Sequence, residues 1–520
     1  GVVMETFVST VNSIMWSLPM VVILLLIGVY FTIRMGAPQL RLIKDMVGQL
    51  FQGGTSSAGI SSFQSFSMAL GGRIGVANIA GVAVAMYLGG PGALFWMWIT
   101  AILGAPVAIA ESSLAQLYKH KVGGEYRGGP AYYILEGLGR HWRWLAVAYA
   151  AATVFATTLT GPQIQANAVT AATTEAWGLD PLWVGIGMAV LFCVVVFGGM
   201  HRVGRVAGYV VTVMAAAYIL VGVLVVAIMW QQVPAMFGLI FSSAFAAESA
   251  YAGMLGAAIS WGVRRAIYST EIGTGSGAQA SAAANVSHPV KQGLAQGFSA
   301  YIDTLFVCTV TGLMILATNS FNVVGPDEKT PIVTHLPGVE EGPAFTQIAI
   351  DSVLPHFGPP MVAVAVFLFA FTTLLSFAFY AETNLAYLIP NLTVQGVAIT
   401  LARLLLACSM VFGATQTSAF SWGLADLGVG LYTWVNILAL VLLSGMAIKL
   451  VKDYDRQRKA GEDPVFDPAV LGIENAPLWS QIHAEYRRTG DADAAMDHVA
   501  DHAPDTREMP VITPEMRRQD

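Results

Sequence analysis

The side chains able to do chemistry in this chain are few, and most fall in two glycine-punctuated stretches. GGRIGVANIAG, Gly71 to Gly81, carries Arg73 and Asn78. STEIGTGSG, Ser269 to Gly277, carries Glu271 and Thr274, with Tyr268 just before it. Asp303 lies a little further on, inside another apolar run. Both stretches sit in segments long enough to enter a bilayer. There an unpaired backbone amide or carbonyl costs several kcal/mol, so a broken helix persists only where it is buried in protein or lines a cavity. An arginine at that depth costs at least about 2.5 kcal/mol unless it is paired or reaches water, and a carboxylate there is a functional candidate by default. Arg73 is therefore expected to pair with Glu271, Asp303 or both, as a coupling or structural charge network. Glu271 has a second reading, in which it accepts hydrogen bonds from the unwound amides. Two interrupted helices in matching places of two halves mark the binding site of a secondary transporter.

Covalent chemistry finds no foothold. The apolar segments contain no HExxH, no GxSxG and no Cys/His cluster, and Cys193, Cys308 and Cys408 each lie inside an apolar run. An enzyme is not expected, and neither is a resident cofactor. Glu111 and Glu382 read as interfacial charge near the ends of their spans.

The elements that must position these residues are membrane helices. The chain has 520 residues, 55% hydrophobic and 11% charged, with mean hydropathy +0.63 and net charge −6. Soluble domains carry about 25% charge, so the sequence predicts an all-α polytopic membrane protein. About eleven spans of roughly 20 residues are expected, near 12–34, 62–88, 91–117, 144–171, 182–200, 207–230, 257–284, 293–318, 358–382, 394–414 and 421–449. The first lacks a basic flank before it and is read as a retained helix. Segments 38–52 and 234–246 read as amphipathic surface helices.

Alternate loops are basic: Arg34, Arg41 and Lys44; Lys119, Lys121 and Arg127; Arg202 and Arg205; Lys291; Lys449 and Lys452. By the positive-inside rule this predicts an outside N-terminus and a cytoplasmic C-terminus in a plasma (inner) membrane. The expected organisation is residues 1–56 as an N-terminal helix and amphipathic segment, 57–230 as one five-helix repeat, 231–450 as a second with an acidic outer loop at 319–356, and 451–520 as a polar, largely disordered tail with a short helix near 478–488. Five is odd, so the second repeat enters from the opposite side. Each repeat opens with a broken helix, which makes a LeuT-type 5+5 inverted repeat after one extra helix.

GVANIAGVAVAMYLGGPGALFWMWITAILG, AESSLAQLYKHK and GEYRGGPAYYI, then STEIGTGSG, HPVKQGLAQGFSAYIDTLFVCTVTGLMIL and FAFTTLLSFAFYAET, resemble the alanine/glycine:cation symporter family, collinearly from about residue 50 to 450. The resemblance implies a bacterial LeuT-type symporter that imports a small neutral amino acid, usually alanine or glycine, with Na+ as the coupling ion. It implies a monomer with no nucleic-acid partner.

By the same resemblance, Val76, Ala77 and Asn78 contact substrate, Gln165 of the QAN motif is a ligand, and Tyr268, Thr274, Thr373 and Phe377 complete the site. Mapping LeuT-type ion binding onto the motifs gives a Na+ site of the carbonyls of Gly71, Ile74 and Phe369 with the hydroxyls of Thr372 and Thr373. The chain departs from the family in reading GVAN for GTGN or GSGN, STE for SNE, and Phe377 where Trp is common, which implies a pocket tighter at the carboxylate end and roomier at the side-chain end. A proton-coupled symporter of the same fold, titrating Glu271 or Asp303, is the nearer alternative, and a channel or facilitator the farther one.

Overall fold

In a computed structural model the protein is described at residues 1–51, 59, 61–198 and 200–505. The expected domain boundary at 56–57 and the end of the tail lie outside the described residues. The described chain is mostly helical, with two short antiparallel strand pairs, His120–Val122 with Glu125–Arg127 and Asn322–Val324 with Pro331–Thr334. Among the described residues eight helices are long and apolar enough to cross a membrane: Leu18–Met35, Gly92–Leu117, Arg140–Trp177, Trp230–Tyr251, Pro289–Ala317, Gly358–Leu388, Leu392–Ala414 and Ser418–Leu442. Trp230–Tyr251 contains the segment expected on the surface. Val190, Leu220, Leu401 and Phe412 are exposed, which is how a lipid-facing belt reads when no water is meant to touch it.

Both breaks form. The first separates Ser62–Arg73 from Ala80–Gly89, with a 3-10 turn at Val76–Asn78 between them. The upstream half starts with a capping box. Ser61 Oγ accepts from the Gln64 amide, and Gln64 Oε1 accepts from the Ser61 amide, which satisfies two of the donors a helix start leaves open. The second separates Leu255–Thr270 from Ser276–Ala282. Its chain turns through left-handed conformations at Glu271, Gly273 and Gly275. A Cβ on Gly275 would come within 2.2 Å of the Pro130 ring, so only glycine fits there. Helix Gly92–Leu117 approaches Pro289–Tyr301 closely across Gly293, whose Cβ would lie 2.8 Å from the Ile109 carbonyl, the small-residue contact that membrane helices use to pack.

Two expectations about the flanks are corrected. As far as it is described, to residue 51, segment 38–52 is not one amphipathic helix: it is two short helices, Pro38–Arg41 and Ile43–Gly48, and a turn at Gln49–Phe51, with Met46 and Gln39 drawn into the protein interior. The tail holds the short helix expected near 478–488, and it is ordered well beyond it as far as it is described. Ser444–Lys459, Pro477–Thr489 and Ala492–His502 are helices. The charge of the tail hid an apolar face: Phe466, Leu478, Trp479, Ile482, Met496 and Val499 are all buried.

The tail packs on the end of the bundle that carries the basic loops. Trp479 Nε1 donates to the Gln116 carbonyl, and Lys121 donates to the carbonyls of Ala500 and Ala503 at 2.7 and 2.9 Å. Arg41 pairs with Asp455, Arg458 with Asp45, and Lys291 with Asp463. Residues following the first and third expected spans, preceding the eighth and following the last therefore share one face.

Candidate substrate and ion site

The first break meets helix Gly358–Leu388 through oxygen. Thr373 Oγ1 donates to the carbonyls of Gly71 at 2.9 Å and Phe369 at 3.1 Å, and Thr372 Oγ1 donates to the same two carbonyls at 3.4 and 3.1 Å. Bonds from a threonine to carbonyls three or four residues back in its own helix are commonplace. The bonds to Gly71 are not of that kind, since they cross from one helix to another. Four of the five oxygens expected to hold Na+ thus converge at one point. All are hard, neutral oxygen donors, the chemistry an alkali cation requires. Ile74, the fifth, is fully buried at the end of the upstream half-helix with its amide bonded to Leu70.

Beside this point is a small enclosed cavity lined by Tyr268, Glu271, Thr274, Thr373, Phe377, Val429 and Tyr432. Its volume of about 20 Å³ admits roughly one water, so an amino acid enters only if the helices part. Glu271 is the one charged side chain in the lining. Gln165, on helix Arg140–Trp177, stands behind the lining and reaches it through Tyr268. Its Nε2 donates to the Tyr268 hydroxyl at 3.1 Å, while its Oε1 is buried with no partner. Gly75 lies against the same group: a Cβ there would sit 2.4 Å from Thr373 Oγ1 and 3.6 Å from Gln165 Oε1. The outer edge of the Phe377 ring meets Gly161, whose Cβ would be 2.8 Å from it, just after a π-helical turn at Ala156–Thr160. Turns of that kind are frequent at functional sites.

The structure thus brings together Gln165, Tyr268, Glu271, Thr274, Thr373 and Phe377. Val76, Ala77 and Asn78 are buried in the turn of the first break, but the Asn78 side chain is already committed. Its Oδ1 accepts from the Gly75 amide at 2.8 Å, and its Nδ2 donates to the Asp303 carboxylate at 2.9 Å. Asp303 also accepts from Ser269 at 2.7 Å and from Thr304. It therefore bonds both broken helices to Pro289–Ala317.

Arg73 is corrected. It forms no ion pair with Glu271 or Asp303. Its Nε donates to the Thr270 carbonyl at 2.5 Å and its Nη1 to Gln296 at 3.0 Å. The guanidinium finds the carbonyl that the second helix releases on unwinding, while Asp303 is turned toward hydroxyl and amide donors instead.

Glu111 is corrected as well. It is fully buried, and it does what Glu271 was expected to do, accepting from the unwound amides of Gly273 and Gly275. Glu271 instead accepts from Tyr380 at 3.1 Å. Glu382 is also buried, held by Arg403 and Arg127.

Several residues escaped the sequence reading. Val429 and Tyr432 line the cavity from the last span, and no motif marks them. Arg264 and Arg265, within the upstream half Leu255–Thr270 of the second broken helix, pair with Asp426. Arg265 lies 4.4 Å over the Trp422 ring, and Trp422 packs edge-on to Tyr268. An RR pair within an apolar run was the available signal.

Two interrupted helices, closed around a buried cavity with hard oxygens at its edge, define a membrane carrier. A family model described as the sodium:alanine symporter family matches residues 2–468, and the chain belongs to that family of secondary transporters, which are not enzymes. YrbD of Bacillus subtilis, whose name places it among sodium/proton-dependent alanine carriers, is 48% identical over 92% of this chain and 98% of its own. A sodium/proton-dependent alanine carrier protein of Bacillus sp. PS3 is 40% identical over 84% and 97%. The sodium/alanine symporter AgcS of Methanococcus maripaludis is 36% identical over 87% and 98%.

Proposed function

We propose that this protein imports a small neutral amino acid, alanine or glycine first, together with Na+, by alternating access. The observation that carries the reading is the shared Thr373. Its hydroxyl belongs both to the oxygen cluster of Gly71, Phe369 and Thr372 and to the cavity lining. An ion at the cluster and a substrate in the cavity would then stabilise the same closed arrangement of two helices, which is what coupling requires. The substrate carboxylate would meet the amides freed after Gly75, and its side chain would lie toward Phe377. Val76 and Ala77 would contribute backbone, and Asn78 would hold the turn.

In this reading the chain forms eleven spans, one followed by two inverted sets of five, with the N-terminus outside and the tail in the cytoplasm of a plasma (inner) membrane. The gathering of the basic loops on the tail's face supports that orientation. A second reading, proton coupling, is favoured by Glu271, the lone charge in the cavity lining.

Proteoliposomes decide between them. An inward sodium gradient at equal pH should drive alanine accumulation, and a pH gradient without sodium should not. Equal accumulation with and without the sodium gradient would refute sodium coupling.

A further inference from the structure

The second break needs a substitute for the helix it gives up. Between Glu271 and Gly275 the chain leaves the helical path through three left-handed residues, so the amides of Gly273 and Gly275 lose their helical carbonyl partners at bilayer depth. Both point at one side chain from the other repeat. Glu111 Oε1 accepts from the Gly273 amide at 3.4 Å and Oε2 from the Gly275 amide at 3.2 Å. Asn436 Nδ2 donates to the same Oε2 at 3.1 Å and to the Gly273 carbonyl at 2.8 Å. The Asn436 carbonyl oxygen is held by the Tyr133 hydroxyl. Tyr149 bonds the Thr274 carbonyl at 2.8 Å. Among the described residues no cation forms a direct ion pair with Glu111, and the nearest charge acting on it is that of Arg73. Three donors converge on two oxygens, a demand that an acceptor-only carboxylate meets and an amide, with a single acceptor oxygen, does not.

We infer that Glu111 is a positioning residue for transport: its carboxylate replaces the carbonyls lost at the second break and holds the 271–275 arch so that Glu271 and Thr274 face the cavity. None of Glu111, Asn436 and Tyr133 lines the cavity, and neither Gly273 nor Gly275 leaves room for a side chain. This rests on the proposed site, but not on the identity of the ion or the substrate.

Two variants separate acceptor chemistry from packing. Glu111→Gln keeps the length and loses an acceptor, and Glu111→Asp keeps both acceptors and loses a methylene. In proteoliposomes the half-saturating alanine concentration should rise about tenfold or more for Glu111→Gln, less for Glu111→Asp, with the melting temperature of the purified protein little changed. Hydrogen exchange of the 271–277 amides should accelerate in Glu111→Gln, and that readout needs no transport. Glutamine equal to wild type in both assays, or better than aspartate, would overturn the inference. So would a Glu111→Gln protein that melts lower while its folded fraction keeps wild-type half-saturation. A wild-type protein that fails to take up alanine on a sodium gradient would refute the proposed function and leave the exchange result to judge Glu111.

Discussion

Thr372 offers the cleanest cut between ion and substrate. Its hydroxyl lies 3.4 Å from the Gly71 carbonyl and 3.1 Å from that of Phe369, yet Thr372 is absent from the cavity lining, whereas Thr373 belongs to both. Thr372→Ala removes one oxygen of an expected five and leaves the substrate surface intact. A polar contact to a charged group contributes about 1.5–3 kcal/mol. At 1.4 kcal/mol per decade, the sodium concentration for half-maximal uptake should rise about 10- to 100-fold. The order in which alanine, glycine and serine compete should not change, and uptake at saturating sodium should recover.

Thr372→Ser keeps the oxygen and should stay within a few-fold of wild type. Sodium titrations of alanine uptake in proteoliposomes test all of this together. If Thr372→Ala leaves the sodium curve in place, the oxygens of Gly71, Phe369 and Thr372 are not the ion site and the hydroxyl only bonds its own helix. If Thr372→Ser behaves like alanine, the effect is packing by the lost methyl.

Phe377→Trp should narrow the substrate range, because Gly161 blocks the ring's far side and the larger indole must grow into the cavity; serine and threonine should lose about 10- to 100-fold as competitors of alanine uptake, in the range of one methylene in a tight pocket. Asp426→Asn should lower the melting temperature sharply, since it strands Arg265, which is fully buried, and breaking such a pair costs about 3–5 kcal/mol; an unchanged melt would mean that stacking on Trp422 suffices. Docking of the tail should strengthen as pH rises from about 7 toward 10. Burial pushes the Lys119 ammonium down to about 7 beneath Trp479, and release of the tail returns it toward the ordinary value of about 10.4. The docked form therefore binds fewer protons across that window and gains on the free form as pH rises, with no such gain below pH 7. Proteolysis of the tail at pH 7.0 and 9.0 should be slower at the higher value, and the opposite order would refute the linkage.

What could be read from the sequence divides along physical lines. Glycine clusters inside apolar runs announce broken helices because few other patterns survive there, and both breaks stand where they were expected. Threonines four residues from carbonyls in a membrane helix carry no such announcement. Only the resemblance to known symporters singled out Thr372 and Thr373. Partner choice among buried charges was the least legible part. Arg73, Glu271 and Asp303 are the obvious trio by sequence. Yet the direct hydrogen-bond partners of each are neutral donors or acceptors, with Arg73 Nη2 left without one among the described residues, because unwound helices supply carbonyls and amides that no count of charges can register. The tail misled for a related reason: its composition is that of a disordered segment, while the apolar residues at 478, 479 and 482 recur at helical spacing and find a surface.

The two breaks are bonded to each other as well as to the cavity. Asn78 caps the first with one end of its amide and grips Asp303 with the other, and Asp303 in turn holds Ser269, one residue short of the second unwinding. Arg73, from the first break, bonds the Thr270 carbonyl one residue later. A rearrangement of the first break, such as an ion at the proposed Gly71 site would bring, therefore has two direct routes to the second, both through atoms whose hydrogen bonds would be left open in low dielectric if only one side moved. Glu111 and Asn436 hold the second break from behind, toward Gly92–Leu117 and Ser418–Leu442. Moving one half-helix alone would strand buried donors on two sides at about 1–3 kcal/mol each. Moving both broken helices together, with Asp303 between them, strands none within that chain. The hydrogen bonds thus tie the two broken helices into one unit, which meets Gly358–Leu388 at Thr372 and Thr373 from the first break and at Tyr380 and Asn384 from the second.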